Sequence, residues 1–84
     1  MAWYVYMLRC GDGSLYTGCT DNVERRLVAH QSGKGAKYTR SRLPVTLAYR
    51  EEAADKPAAL RREAAIKRLT RAEKRALLET SEDV

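Results

Sequence analysis

The chain has 84 residues, which makes one small domain with a compact core and little redundancy in it. Hydrophobic residues at 44% and charged residues of both signs at 32% exclude a disordered polyelectrolyte. Sixteen Lys and Arg against eleven Asp and Glu leave a net charge of +5, which favours a polyanionic partner such as nucleic acid, although solvated helix faces could carry the same surplus.

The opening stretch MAWYVYMLRC is too short to span a membrane and lacks the basic front and small-residue cleavage pattern of a signal peptide, so a soluble cytoplasmic protein is expected. Its aromatic and β-branched residues predict a strand over 3–10, and a second run predicts another over 14–18, with Gly11-Asp12-Gly13 as the turn of a hairpin. Cys10 and Cys19 flank this hairpin, but neither plausible turn register sets them opposite each other; free thiols in a reducing compartment are expected. A single histidine and no Cys-x-x-Cys argue against structural zinc.

Asp21, three residues before Glu24, resembles a capping box and predicts a helix from about Asn22 to Ser32, ending near Gly33. Residues 31–43, QSGKGAKYTRSRL, hold four cations and no acid and read as a mobile basic loop. Residues 44–52 read as a third strand, alternating Val45, Leu47 and Tyr49 with Thr46, Ala48 and Arg50, its proline at the first strand position. Asp55 and Pro57 open a second helix to about Leu69, and the capping box Thr70-Arg71-Ala72-Glu73 opens a third to about Glu79. The order β-β-α-β-α-α predicts an α+β domain over residues 1–80. Its three-stranded, at least partly antiparallel sheet would pack against helices in two layers, and residues 81–84 would form a disordered tail.

Two charged residues fall on helix faces that should be buried. With Val23 at zero on the first helix, Leu27 lies at about 40°, His30 at about 340° and Arg26 at about 300°. With Leu60 at zero on the second, Ala64 lies at about 40°, Lys67 at about 340° and Glu63 at about 300°. A partly desolvated guanidinium and carboxylate need partners. Either Arg26 and Glu63 pair at the edge of the core, or both line a pocket at the sheet surface where the tyrosines gather.

The ordered set Val5-Tyr6-Met7, Tyr16-Thr17-Gly18, Arg26 and His30 on one helix and Glu63 on a later one resembles the GIY-YIG nuclease family. Over nearly the whole chain it is similar to the small stand-alone bacterial branch of that family. The resemblance implies a three-stranded antiparallel sheet flanked by helices, with both motif tyrosines on one face. Side chains alternate, so that sharing needs a three-residue loop with Gly13 in the left-handed region, pairing Tyr6 with Gly18 and Leu8 with Tyr16. A two-residue Asp12-Gly13 turn would split the tyrosines between the faces.

The resemblance also implies roles. Glu63 would hold one Mg²⁺ or Mn²⁺ through a single oxygen, a weak site that such hard ions accept. Tyr16 would be the general base, although a free phenol with pKa near 10 needs neighbouring cations to favour its phenolate. Arg26 would contact the reacting phosphate through its planar fork. His30 would hydrogen-bond Tyr16 or the phosphate, Tyr6 would order the hydration of the site, and Gly18 would keep room for a phosphate or the following helix.

Lys34, Lys37, Arg40 and Arg42 would contact the backbone of DNA, and Tyr38 would stack on an unpaired base. The cluster RLTRAEKR, by contrast, reads as a plain solvent face. Thr17 within the second motif, Gln31 after His30 and the lack of an asparagine beyond Glu63 depart from the family pattern.

The reading is therefore a metal-dependent endonuclease of branched, nicked or single-stranded DNA in repair or recombination, with no membrane and no obligate protein partner. The alternatives are a nucleic-acid-binding module of the same fold with little catalysis and a small protein adaptor.

Overall fold

Strands β1 (Trp3–Arg9) and β2 (Leu15–Thr20) form an antiparallel hairpin in the computed structural model of the chain, which describes residues 2–82 and side chains as far as Glu79. Its turn is the three-residue loop: the Cys10 N–H donates to the Ser14 carbonyl and the Gly13 N–H to the Cys10 carbonyl, each at 2.9 Å. Gly13 has φ 84°, where any Cβ would be strained. Tyr6 consequently faces Gly18 and Leu8 faces Tyr16, so both motif tyrosines lie on one side of the sheet.

The third strand, β3 (Thr46–Ala53), pairs antiparallel with the other edge of β1, giving the order β2-β1-β3. It starts at Thr46 rather than Pro44, because the preceding segment first crosses the hairpin tip. There Gly11 donates its N–H to the Arg42 carbonyl at 2.7 Å, and a Cβ on Gly11 would lie 2.7 Å from the Leu43 carbonyl oxygen. The expected alternation also breaks. Met7 pairs with Tyr49 and Leu8 with Leu47, leaving Ala48 as a bulge. Leu47 therefore packs with Tyr6, Leu8 and Val45, while Tyr49 packs with Val5 and Met7 on the opposite face.

Helices cover both faces, making three layers rather than two. α1 (Val23–Gln31) and the single turn α2 (Lys37–Arg40) lie over the Tyr6 face. α3 (Lys56–Lys67) and α4 (Arg71–Glu82) bury Ala59, Ile66 and Leu78 against Val5 and Met7. The N-cap of α1 is Asn22, whose side chain accepts the Arg25 N–H at 3.0 Å; Val23 is already helical, so Asp21 lies one residue too far out to cap. Asp55 caps α3 through the Ala58 N–H at 2.9 Å, and Thr70 and Glu73 cap α4 reciprocally at 2.9 and 3.1 Å, both as expected.

Two further expectations change. The inward stripe of α3 runs through Ala59, Glu63 and Ile66, and Leu60 is 48% exposed. Leu60 and Ile66 lie about 120° apart on the helix, so one stripe cannot bury both, and Ile66 wins the core. α4 continues to Glu82, so Ser81 and Glu82 of the expected tail belong to the helix end, and residues 83–84 lie outside the described residues. Among the described residues no helix is long and apolar enough to cross a membrane.

Packing alone demands glycine at position 18: a Cβ there would sit 2.6 Å from the Tyr6 hydroxyl oxygen and 2.8 Å from Cζ. Tyr6 is 2% exposed and its hydroxyl is hydrogen-bonded, so it cannot yield freely. Gly18→Ala should therefore destabilise the protein by about 1–3 kcal/mol in urea unfolding, despite the usual benefit of replacing a strand glycine. Unchanged stability would show that Tyr6 moves aside at no cost.

Candidate active site

His30 is 0% exposed at the end of α1 and joins three elements. Its Nε2 lies 3.0 Å from the Tyr6 hydroxyl on β1, and its Nδ1 lies 2.8 Å from the Thr39 hydroxyl on α2. Thr39 gives its only hydroxyl proton to the Ala36 carbonyl at 2.9 Å, so it must accept from Nδ1–H. Nδ1 thus carries the imidazole proton, and Nε2 accepts the Tyr6 O–H.

Burial, with the Arg26 charge second, lowers the pKa of His30 and keeps it neutral. Burial pushes the Tyr6 phenol up to about 12, with Arg26 partly opposing the rise. Tyr6 is a fixed hydrogen-bond donor at neutral pH. His30 pairs with Tyr6, not with Tyr16 as expected.

Tyr16 is half-buried beside this pair, its ring 5.3 Å from that of His30 and 5.9 Å from that of Tyr38. Among the described residues nothing hydrogen-bonds its hydroxyl, so the phenol is free for solvent or substrate. The basic segment around Tyr38 is more ordered than the expected mobile loop. Thr39 is fully buried, and a Cβ on Gly35 would collide with the His30 ring, so the chain must pass tightly over the imidazole.

Arg42 stacks 3.8 Å over the Tyr38 ring, donates to the Tyr38 carbonyl at 2.9 Å and pairs with Asp12 at 3.1 Å. It is a structural clamp on the hairpin tip rather than a free cation, and it occupies a face of the ring expected to stack on a base. Lys34, Lys37 and Arg40 are exposed and have no carboxylate partner among the described residues.

Arg26 is exposed rather than core-facing, and among the described residues it pairs with no carboxylate. Glu63 pairs with Lys67, so of the two alternatives the Arg26–Glu63 ion pair is not formed. Arg26 instead stands beside the Tyr6 phenol and, with Arg25, lines a hollow of about 380 Å³ bounded by Thr20, Asp21, Asn22 and Ala29. The hollow is open and carries two guanidinium groups against the one carboxylate of Asp21.

Glu63 comes from the other layer. It lies midway along the buried stripe of α3, 17% exposed, and binds Lys67 at 2.8 Å. It also lies against the Cys19 thiol on β2, whose pKa burial and Glu63 together push up to about 11; Cys10 and Cys19 are free thiols. The Lys67 ammonium is held in its charged form by Glu63, and Tyr16 lies within electrostatic reach of it. β2 is an edge strand, with Tyr16 on one face of the sheet and Glu63 beyond the other, and Lys67 lies within electrostatic reach of both.

Among the described residues no group of three His, Cys, Asp or Glu could form a dedicated metal cage. A hard divalent ion that keeps most of its water and takes one carboxylate plus substrate oxygens fits Glu63.

The family model described as the GIY-YIG catalytic domain matches residues 2–76. The chain belongs to the GIY-YIG family. A UPF0213 protein of Streptococcus sanguinis is 61% identical over 75 residues, 89% of this chain and 86% of that one. One from Desulfotalea psychrophila is 54% identical over 82 residues, 96% of this chain and 74% of its own. Two solution structures are similar: a UPF0213 protein of Bacillus halodurans with TM-score 0.62 and 48% identity, and a protein of E. faecalis with TM-score 0.64 and 45% identity. Each covers 95% of this chain and 85% of its own. GIY-YIG membership implies a nuclease-type function on a nucleic-acid substrate, in a family that generally uses divalent metal ions.

Two residues beside the site, Thr39 and Gly35, escape a reading by helix faces alone, whereas Lys67 already shares the face of Glu63. Lys67 stands four residues after Glu63, the spacing of a helical ion pair, and that spacing could have revealed the contact. Thr39 and Gly35 carry no such signal, since their value lies in a close approach to His30 that only the folded chain creates.

Thr39→Val should cost about 1–3 kcal/mol by leaving Nδ1–H buried without an acceptor, and Thr39→Ser should recover most of it; equal losses would remove the tautomer argument. The lowered His30 pKa also has a definite sign. The unfolded chain takes up the proton first, so the stability it contributes is complete above pH 6.5, its ordinary value, and is lost as pH falls through the folded pKa. Urea midpoints should fall between pH 7 and 5 in the wild type and change less in His30→Gln, whereas identical profiles would exclude His30 as the titrating group.

Proposed function

We propose that the protein is a divalent-metal-dependent, structure-selective DNA endonuclease that hydrolyses phosphodiester bonds of branched, nicked or single-stranded DNA in repair or recombination. What supports this reading is a Tyr16 hydroxyl without a hydrogen-bond partner among the described residues, an open hollow at Arg26 and a Glu63–Lys67 pair near the edge strand β2.

Arg26 receives the scissile phosphate, its planar fork matching two phosphate oxygens. Tyr16 acts as the general base that takes the proton of the attacking water. Neutral His30 holds the Tyr6 hydroxyl in one direction, so Tyr6 presents a fixed dipole to the reacting group. Glu63 would hold Mg²⁺ or Mn²⁺, which when bound supplies Lewis-acid stabilisation of the phosphate and leaving oxygens. Lys34, Lys37 and Arg40 contact backbone phosphates of the strand and give affinity without sequence preference, while Arg42 and Tyr38 brace the loop that carries them.

Purified protein with labelled branched DNA and Mg²⁺ or Mn²⁺ should cut it, and Tyr16→Phe and Glu63→Ala should each lower the rate by about 10²–10⁴-fold. Arg26→Lys should lower it too, since a point charge cannot reproduce the fork. Cutting that is equal in the wild type and in Tyr16→Phe and Glu63→Ala would place the activity elsewhere.

The Glu63–Lys67 pair favours one second reading, a binding module whose carboxylate is already satisfied. Retention on DNA without cutting under both ions would select it.

A further inference from the structure

The tip of the β1–β2 hairpin is held from both faces of the sheet. On the tyrosine side, Asp12 binds Arg42 at 3.1 Å; on the other, the Gly13 carbonyl accepts from Arg71 at 3.4 Å. Beside this second contact lies a groove of about 330 Å³ between the hairpin and α4, walled by Arg9, Arg71 and Arg75 and floored by Leu15 and Leu78. Lys74 lines a smaller hollow next to it, shared with Ser14, Leu15 and Arg71. Arg71, Lys74 and Arg75 fall on one stripe of α4 at spacings of three and four, and Arg9 has the same strand phase as Val5 and Met7.

Three cations from two elements thus face one concavity, against the single carboxylate of Glu79, and a fourth, Lys74, lines the hollow beside it. Among the described residues none of the four forms an ion pair, whereas Arg42, Arg50, Arg62 and Lys67 each do. Like charges three and four residues apart weaken a helix, so a merely solvated face has no need of this crowding. Guanidinium forks over an apolar floor match phosphate oxygens.

We propose that the groove of Arg9, Arg71, Lys74 and Arg75 is a second backbone-binding surface, so that one nucleic acid grips both sides of the hairpin tip. It rests on the nuclease reading only in taking the same DNA as its ligand. The molecule is 24 Å across in its shortest dimension, on the order of seven nucleotides of strand at the ~3.4 Å rise. A straight duplex lies along one side; a branched or sharply bent substrate reaches both. Selectivity for structure then follows from two-sided engagement rather than from reading any base.

The test is fluorescence anisotropy without divalent cation, on a labelled three-way junction and a linear duplex of equal length, with Arg71→Ala/Arg75→Ala and Arg9→Ala and with folding checked by urea unfolding. The double variant should bind the junction at least about tenfold more weakly, its slope of log affinity against log salt shrinking by roughly 0.9 per lost phosphate contact. The duplex should change little. Unchanged junction affinity and slope in both variants, an equal loss on both DNAs, or no binding by the wild type would overturn the proposal. Cutting is scored separately with Mg²⁺. Lost junction binding in a protein that never cuts sinks the nuclease reading alone, and cutting with unaltered junction binding sinks this one alone.

Discussion

The buried hydrogen bond between Tyr6 and His30 is the constraint around which the α1 face of the sheet is built. A fully buried imidazole has to stay neutral and must find a partner for each nitrogen, because either one left unmet costs its full desolvation. Tyr6 serves one side and Thr39 the other, so a strand, a helix end and a basic segment 30–39 residues into the chain are bound together at one ring. Two glycines follow from that geometry. Gly18 leaves room for the Tyr6 ring on the adjacent strand, and Gly35 lets the backbone pass close over the imidazole. The catalytic motif glycine is thus a steric partner of the motif tyrosine, and the ordered part of the basic segment is the lid over its histidine.

Much of this was legible in the residues because several features are local or fixed by parity. Asp55 and the Thr70–Glu73 box announce helix starts by a reach of three residues, and the backbone honours both. The hairpin register followed from the resemblance to the GIY-YIG family, which sets both motif tyrosines on one face; alternation of side chains then allows only the three-residue loop. The bulge at Ala48 was not legible, since Val45, Leu47 and Tyr49 alternate without a break and nothing local marks the extra residue. It is imposed by the partner strand, and it moves Tyr49 to the far side of the sheet.

The misread faces have a common cause. On α1 and α3 the apolar residues are few, and alanines contribute little contrast, so a wheel drawn through the largest of them has a wide choice of centres. On α3 the choice lay between Leu60 and Ile66, and picking Ile66 centres the buried stripe on Ala59 and leaves Glu63 about 40° from that centre, at its margin and partly covered. On α1 the structure keeps Val23 and His30 inward and lets Arg26 turn out to the hollow beside Tyr6. The arginine is therefore accessible where a desolvated one would have been locked into a pair, and the glutamate is the half-hidden member of the set.

That inversion bears on how the site can work. Glu63 is held by Lys67, whose side chain is 53% exposed, and an exposed i,i+4 pair of this kind is worth only about 0.3–0.5 kcal/mol. In the proposed enzyme such a pair would orient the carboxylate without committing it, since a divalent cation and a phosphate would replace its two members as partners. β2 is an edge strand, with the carboxylate beyond one face of the sheet, the Tyr16 phenol on the other and Lys67 within electrostatic reach of both. An edge strand ordinarily needs covering, and in the proposed enzyme the substrate strand would take that place.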